Sequence, residues 1–205
     1  GSSMGAIIGA FHAAGYEPQS MLSIVKESSL TKLFKFSLTG GLTDNAYIKE
    51  LLAEHISADR FSSLLKPLHV CVPNLTRGRR EIRNEGPLFD PVQPRLINGE
   101  EYVDGGLMNN LPVEPLRETC EKVIGINVTP IASFGTDEGM FDIGYRTLDL
   151  VLWTNVQPRL KDCDVVIEPD TAKFRLFDIN SADEIYEMGY QAAQAQMPAI
   201  KAMMA

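Results

Sequence analysis

The sequence contains no apolar run long enough to cross a bilayer, which argues against a helical membrane span. Basic residues are also few: 19 lysines and arginines stand against 27 aspartates and glutamates, leaving a net charge of −8. This acidic balance argues against a nucleic acid partner and gives no electrostatic attraction to an anionic membrane surface. Internal repeats, low-complexity tracts and obvious linkers are missing as well, so a single domain over residues 1–205 is expected.

Cysteine is scarce, and its spacing excludes the common metal and redox motifs. Cys71, Cys120 and Cys163 are far apart and odd in number, and no two of them form a zinc pair or a C-x-x-C motif. Because each lies in or beside an apolar run, we expect all three to be buried and reduced, which favours a cytoplasmic protein. No calcium loop or metal cluster is visible, so we expect no metal and no cofactor.

What is present is typical of a globular domain, with 44% hydrophobic and 22% charged residues. Continuous apolar runs at 68–72, 122–128 and 163–167 are typical of buried strands and alternate with helical patterns. This alternation predicts an α/β fold in which a mostly parallel central sheet carries helices on both faces. Helices are predicted over 6–15 with Gly15 as a C-cap, 18–28, 44–56 with Asp44 as an N-cap, 140–160, and 182–203 after a capping box at 181–184.

Local signals predict two hairpins and one unusual apolar segment. A turn at 76–79 leads to a return strand at 80–83, and Asn98-Gly99 is a type I′ signal before a strand at 101–103. The leucine- and phenylalanine-rich segment 30–42 suits either a loop that covers the core or a mobile flap that contacts lipid. The four arginines within 77–83 are interpreted as a solvated face, with an anion site as the alternative.

The first five residues carry the pattern G-x-S-x-G, with Gly1, Ser3 and Gly5 at its fixed positions. This pattern places a serine on a sharp strand-to-helix turn. The next residues predict a helix whose small face (Gly5, Gly9, Ala13) packs close to a sheet, so Ser3 stands at a helix N-terminus that favours a developing oxyanion. Two other interpretations stay open here, because the pattern also arises by chance and Gly-Ser-Ser-Met is also typical of an expression-tag remnant.

Histidine is too scarce to complete a conventional catalytic triad. The histidines are His12, His55 and His69, and none follows position 69, so the usual chain order of serine, acid and histidine is impossible. All three are interpreted as structural. A catalytic Ser3 therefore needs a different group to accept its proton.

Asp104 is the best candidate for that group. It directly follows a predicted strand, and Gly105-Gly106 allow a sharp turn that projects the carboxylate at a sheet edge. A carboxylate is a weak base at its ordinary pKa near 3.9, so it needs a dry, apolar setting to take a proton from Ser3. The alternative is that Asp-Gly-Gly is only a turn.

The two motifs together closely resemble the bacterial branch of the patatin-like phospholipases. The resemblance rests on S-S-M-G-A-I-I-G-A at 2–10 with A-A-G-Y at 13–16, and on Y-V-D-G-G-L-M-N-N-L-P-V at 102–113. It continues weakly into residues 163–169 and the terminal helix. The second block is long and specific, and it argues against the tag interpretation because the family has its serine where Ser3 falls.

The resemblance implies a three-layer α/β/α fold and a lipid acyl hydrolase with a Ser-Asp dyad. Ser3 matches the family nucleophile and Asp104 the aspartate of its D-G-G/A motif, with Gly1, Gly5, Gly105 and Gly106 as motif glycines. The backbone N–H of Met4 would donate to the oxyanion. The implied substrate is a phospholipid, lysophospholipid or other fatty-acyl ester. The implied contact with a membrane surface is transient, and no nucleic acid partner is expected.

The sequence departs from the family pattern in two places. The family has a glycine-rich oxyanion loop and a strand before its serine, and a longer segment before its D-G-G strand than the one around Val92-Gln93. We therefore expect a patatin-like domain that lacks its N-terminal strand and oxyanion loop, taken from a longer protein. A measured mass of 22.6 kDa would contradict this expectation. If the chain does start at Gly1, we expect little or no activity.

Two alternatives to the enzyme remain. One is a non-catalytic member of the same fold that binds lipid or a partner protein. The other is an unrelated α/β domain in which Gly5 and Gly9 serve only helix packing, but this leaves the block around Asp104 unexplained. The presence of both Ser3 and Asp104 favours the enzyme.

Overall fold

A computed structural model describes residues 1–28, 46–90, 96–97, 99–102, 106–129, 140–174 and 178–205. The chain divides into two compact units, Gly1–Gly106 with Phe177–Ala182, and Leu107–Leu176 with Asp183–Ala205. The predicted flap or loop at 30–42 and the predicted N-cap Asp44 lie outside the described residues.

The first unit contains the helices that the sequence predicts. Helix α1 spans Met4–Ala13, α2 spans Pro18–Glu27 and α3 spans Ala46–His55, followed by one 3₁₀ turn at Phe61–Ser63. Proline fits the first turn of α2 because the N–H that it lacks has no intrahelical partner there.

The C-terminus of helix α1 is capped by Gly15, as predicted. This glycine has a φ of 97°, a left-handed conformation that costs other residues more. Its N–H donates to the His12 carbonyl at 3.0 Å, and the Tyr16 N–H donates to the Phe11 carbonyl at 3.0 Å. These two bonds form a Schellman motif, which satisfies carbonyls that the helix end leaves open.

The buried face of α1 differs from the predicted one by about one residue. Ala6, Ile7, Ala10, Phe11 and Ala13 are buried, whereas Gly5 is exposed. Burying the isoleucine and phenylalanine removes far more apolar surface from water than burying glycine does, so their side chains determine the orientation of the helix.

One hydrophobic core holds these helices together. It joins α1, α2, α3 and the 3₁₀ turn to a buried strand and to Leu88, Phe89 and Tyr102. Phe11 and Leu52 are almost completely inaccessible to solvent. Burial of each such side chain stabilises the fold by roughly 1.5–3 kcal/mol, so Phe11 holds α1 firmly against the core.

The predicted hairpin near residue 76 is confirmed. Strand β1 spans Val70–Asn74 and pairs in antiparallel register with β2, Arg79–Arg83. Every residue of β1 is buried, while β2 is mostly half-exposed or exposed. The apolar run that predicted β1 began two residues too early, because Leu68 and His69 precede the strand.

The Asn98-Gly99 signal also marks a hairpin. Strand β3 spans Leu96–Ile97, β4 spans Glu100–Glu101, and Ile97 pairs with Glu100 across a two-residue loop. Gly99 has a φ of 81°, as the second position of a type I′ turn requires.

The remaining elements follow along the chain. They are the short helices α4 (Gly106–Asn109) and α5 (Glu114–Arg117), strand β5 (Ile124–Ile126), helix α6 (Met140–Leu160), strand β6 (Val165–Ile167), a 3₁₀ turn (Ile179–Ser181) and helix α7 (Ala182–Met204). Strands β5 and β6 pair in parallel. The predicted bounds of α6 are confirmed at both ends.

The expectation that 122–128 forms a fully buried strand was wrong. Gly125 is buried, and a side chain there would come within 2.5 Å of the Cys163 sulfur, but Ile126 is 59% exposed and Ile124 39%. Only one face of β5 is covered, so an apolar run that normally indicates a strand covered on both faces here has one face open. Ile143 and Val151 of α6 are also exposed.

The cysteines are only partly as expected. All three are free, with Cys71 buried, Cys163 half-buried and Cys120 exposed. The prediction for Cys120 was wrong because it lies just after the end of α5, beside Thr119 and Glu121, which are themselves exposed.

The chain contains both helices and strands, which alternate from β5 to α7, in accordance with an α/β fold. Within the described residues the strands form three two-stranded sheets, of which β1–β2 and β3–β4 are antiparallel and β5–β6 is parallel. In the same residues we find no helix with the length and apolar character that a membrane span requires.

Candidate active site

Ser3 has an unusual backbone conformation at the N-cap of α1. Its φ is 49° and its ψ is −128°, and among the described residues it is the only non-glycine with a positive φ. Such conformations cost of order 1–3 kcal/mol, and they cluster where function requires them. The strained turn predicted from the G-x-S-x-G pattern is therefore present at its serine.

Gly1 is required by the same turn. A Cβ at this position would lie 2.5 Å from the Gly5 carbonyl oxygen and 2.7 Å from its carbon. These are backbone atoms of α1, so a side chain could fit only if the turn opened. A Cβ on Gly5 meets nothing within 4 Å among the described residues, so the contacts there do not explain the second motif glycine.

The backbone of Gly1 is paired with β1. Its nitrogen donates to the His69 carbonyl at 2.8 Å, and its carbonyl accepts from the Cys71 N–H at 2.9 Å. These two bonds are those of a parallel pair in which Gly1 lies opposite Val70. Because β2 occupies one edge of β1, Gly1 lies at the other.

The start of α1 directs backbone N–H groups toward the serine turn. The first backbone bond of the helix runs from the Ala6 N–H to the Ser3 carbonyl at 2.8 Å. The N–H groups of Met4 and Gly5 precede that bond, in the turn where helix N–H groups have no intrahelical acceptor. Together with the helix dipole, they favour negative charge beside Ser3.

Asp104, the predicted base, lies outside the described residues, as does Gly105. Gly106 is described and is buried at the start of α4. Tyr102 is the described residue that precedes this segment, and it forms an antiparallel bridge with Asn74 at the end of β1. The Leu75 N–H donates to the Glu101 carbonyl at 2.7 Å in the same pairing.

The side chain of Asn74 is fully buried and is bound on all sides by polar groups. The two N–H groups of its Nδ2 are shared among three acceptors, Glu100 Oε2 at 2.7 Å, Glu81 Oε1 at 3.1 Å and the Tyr102 hydroxyl at 3.1 Å. Its Oδ1 accepts from the Arg77 N–H at 3.0 Å. We call Asn74, Glu81, Arg83, Glu100 and Tyr102 the Asn74 network.

Tyr102 connects this network to the chain that leads to Asp104. Its hydroxyl donates to Glu81 Oε2 at 3.0 Å and accepts from Arg83 Nη2 at 2.7 Å. The Arg83 guanidinium also lies 5.5 Å from the centre of the Tyr102 ring. Burial and the hydrogen bond to Glu81 raise the pKa of Tyr102, so the phenol stays protonated at neutral pH.

Both carboxylates of the network remain ionised. Burial alone would raise the pKa of Glu81, but hydrogen bonds from Tyr102 and Asn74 and the charge of Arg83 outweigh it and lower the pKa. Hydrogen bonds from Arg77 and Asn74 lower the pKa of Glu100. No sequence motif indicates this network, because its members come together only through strand pairing.

The arginines of the hairpin are counterions of these glutamates. Arg77 pairs with Glu100, and Arg79 and Arg83 pair with Glu81 at 3.4 and 2.7 Å. This agrees with an exposed polar face more than with an anion site, since Arg77, Arg79 and Arg83 already have acidic partners.

His55 has the structural role expected of it. Its Nδ1 lies 2.9 Å from the Leu51 carbonyl, its ring stacks edge-on against Phe11, and its own carbonyl accepts from the Tyr16 hydroxyl at 2.8 Å. His12 is exposed and lies 3.0 Å from Lys66 Nζ. His69 supplies its carbonyl to Gly1.

A comparison with protein families decides the affiliation of the chain. The model of one family, described as patatin-like phospholipase, matches residues 1–117. The chain belongs to the patatin-like phospholipase family. The matched residues include the Ser3 turn, Asp104 and the whole Asn74 network. For a patatin-like phospholipase the general chemistry is hydrolysis of lipid esters.

Proposed function

We propose that the protein is a serine acyl hydrolase that cleaves fatty-acyl esters of phospholipids or lysophospholipids through a Ser3–Asp104 dyad. The observation that carries the proposal is the backbone of Ser3. A serine held at φ 49° and ψ −128°, at the N-terminus of a ten-residue helix, is presented as nucleophile elbows present theirs.

Strand register supports a position for Ser3 near the middle of β1. Gly1 lies opposite Val70, and the chain from Gly1 to Ser3 runs parallel to β1. Two residues further along, the chain at Ser3 is level with Val72, where it turns away into α1. The nucleophile thus lies beside the edge of β1 that β2 leaves open.

The same register supports Asp104 as the base. Tyr102 lies opposite Asn74 in an antiparallel bridge, on the edge of β1 that β2 leaves open. If this register continues for two residues, position 104 also comes level with Val72. The two segments then approach one point from opposite ends of the strand, which brings Ser3 and Asp104 together.

In the proposed mechanism, Ser3 Oγ attacks the ester carbonyl carbon while the Asp104 carboxylate accepts the Ser3 proton. The carbonyl oxygen becomes an oxyanion, to which the Met4 N–H donates, and the helix dipole of α1 stabilises the charge. The tetrahedral intermediate then expels the alcohol, which takes the proton from Asp104. The acyl group remains esterified to Ser3.

Deacylation repeats these steps with water. Asp104 accepts a proton from the attacking water, the oxyanion forms at the same site, and Ser3 leaves with the proton returned by Asp104. A free fatty acid is released. No step requires a cofactor or a metal ion.

We also propose the finer features of the fold. The parallel pairing of Gly1 with β1 and the parallel β5–β6 pair support a mostly parallel central sheet with helices on both faces, in one patatin-like domain over residues 1–205. The block at 102–113 supports membership of the bacterial branch.

The proposed setting is the cytoplasm, with transient contact at a membrane surface where acyl lipids reside. Three free cysteines support a reducing compartment. The net charge of −8 disfavours a nucleic acid partner and strong binding to anionic lipid, so contact with the membrane would be brief.

The proposal is tested by labelling the full-length protein with a fluorophosphonate probe, which reacts with activated serines. The wild type should be labelled and Ser3→Ala should not. The matched control is Ser2→Ala, because Ser2 is the neighbouring serine and is buried. It should be labelled like the wild type.

A wild type that is not labelled, or labelling that survives in Ser3→Ala, would sink the enzyme proposal. The first result would favour a non-catalytic, lipid- or protein-binding member of the family instead. Hydrolysis of a short fatty-acyl ester should follow the same pattern across the three proteins.

A further inference from the structure

The Asn74 network is unusual because it is polar and yet lies in the interior of a small hairpin. Asn74 has no exposed surface, and Tyr102 has 6% of its surface exposed. Polar groups in such places destabilise a fold unless each finds a partner. Replacing buried ionic groups by apolar residues of similar volume is often neutral or stabilising, so such a network is weak evidence for a role in stability alone.

The network is located directly before the proposed base. Tyr102 precedes Asp104 by two residues, and two residues of extended chain reach at most about 7 Å. The hydroxyl of Tyr102 is bonded to Asn74, Glu81 and Arg83, which lie on β1 and β2. Tyr102 is thus held by its side chain as well as by its backbone bridge to β1.

We propose that Tyr102 is a positioning residue for the Asp104 carboxylate, held in place by Asn74, Glu81 and Arg83. This inference rests on the proposed function, because it gives the network a task only if Asp104 accepts a proton from Ser3. Such a transfer needs the two groups within hydrogen-bond reach, and a displacement of about 1 Å can reduce turnover up to about a hundredfold.

The ionic state of the network suits this task. The lowered pKa of Glu81 and of Glu100 keeps both carboxylates charged at neutral pH, so each stays bound to its arginine. Tyr102 therefore keeps its donor and its acceptor throughout the working range of an esterase.

The inference is tested with Tyr102→Phe, which removes one oxygen and keeps the ring in the core. The matched control is Tyr16→Phe, because Tyr16 also donates one hydrogen bond within the same unit, to the His55 carbonyl. In full-length Tyr102→Phe, kcat should fall about tenfold to a hundredfold with KM nearly unchanged, and Tyr16→Phe should match the wild type.

Two further readouts separate positioning from a loss of folded protein. Titration of active sites with the fluorophosphonate probe should find the same number of sites in Tyr102→Phe, each reacting more slowly. Amide hydrogen exchange should be faster over residues 101–106 in this variant and unchanged in α1. If Tyr102→Phe is poorly folded, Glu81→Gln provides the same comparison with the phenol retained.

Wild-type kcat and unchanged exchange in Tyr102→Phe would overturn the inference and leave the proposed function intact. Fewer active sites that react at the wild-type rate would also overturn it, because they indicate a purely structural role. A wild type that the probe does not label would remove the proposed function itself, and the inference with it.

Discussion

Among the described residues, Ser3 is the only non-glycine residue with a positive φ. A serine at φ 49° is strained, and the surrounding structure must offset about 1–3 kcal/mol to hold it. The offset comes from the two bonds of Gly1 to β1 on one side and from the buried face of α1 on the other. The strain is therefore maintained by the backbone pairing with β1 on one side of Ser3 and by the core contacts of α1 on the other.

The first prediction at the residue scale concerns Asp104→Asn. Asparagine keeps the size of the side chain but cannot accept the Ser3 proton, so kcat should fall by about 10²–10⁴. The melting temperature should stay close to that of the wild type. Steady-state ester hydrolysis and thermal unfolding of the same preparation give both values.

Full activity in Asp104→Asn would remove this residue from the mechanism. The exposed Asp162→Asn serves as control, because it makes the same chemical change in the second unit and should leave kcat unaltered.

At the scale of elements, the polar side chains of the Asn74 network meet at the end of strand β1. The Asn74 side chain bonds residues that lie 7, 26 and 28 positions further along the chain. The end of β1 is therefore tied to β2, to β4 and to the segment that follows β4. It is at such ends that the structure brings polar side chains together.

One carboxylate, that of Asp164, lies at the start of the second parallel contact, β5–β6. Asp164 precedes β6 and accepts the Val123 N–H at 2.9 Å, and it pairs with Arg117 at 2.8 Å and Lys122 at 3.4 Å. The backbone hydrogen bond from Val123 and the guanidinium of Arg117 lower the pKa of Asp164.

This lowered pKa predicts a pH-dependent stability. A carboxylate whose pKa is lower in the folded state stabilises the fold above the unfolded pKa, near about 4, and this contribution is lost as the pH falls through the folded value. Asp164→Asn should therefore have a lower melting temperature than the wild type at pH 7. The difference should shrink between about pH 4 and about pH 2.

Thermal unfolding across this pH range measures the effect, again with Asp162→Asn as the control. A difference between wild type and Asp164→Asn that stays constant with pH would show that the carboxylate charge is not what joins β5 to β6.

At the scale of the whole molecule, helices were predicted better than burial. The bounds of α6 followed from the sequence, and the C-terminus of α1 at Gly15 followed from its glycine. The exposed face of β5 did not follow from the sequence, because an apolar run predicts a strand without identifying the elements that pack on it. It does not show which neighbours cover each face, and the exposed Ile126 depends on those neighbours.

The site shows the same division. Ser3 was predicted because its turn requires a local pattern of glycines, and such patterns are visible in sequence. The Asn74 network was missed because its partners meet through the pairing of three strands, which depends on register and not on any short motif. Local constraints leave a signature in the sequence, whereas those set by strand pairing do not.

The central claim is that Ser3 and Asp104 act together on an acyl carbonyl. It is tested most directly by a crystal structure of the full-length protein after reaction with a fluorophosphonate. We predict a phosphonate on Ser3 Oγ, with an oxygen of that group accepting the Met4 N–H, and, in the unreacted protein, an Asp104 carboxylate oxygen within about 2.6–3.2 Å of Ser3 Oγ. A phosphonate on another residue, or an Asp104 carboxylate directed away from Ser3, would contradict the account.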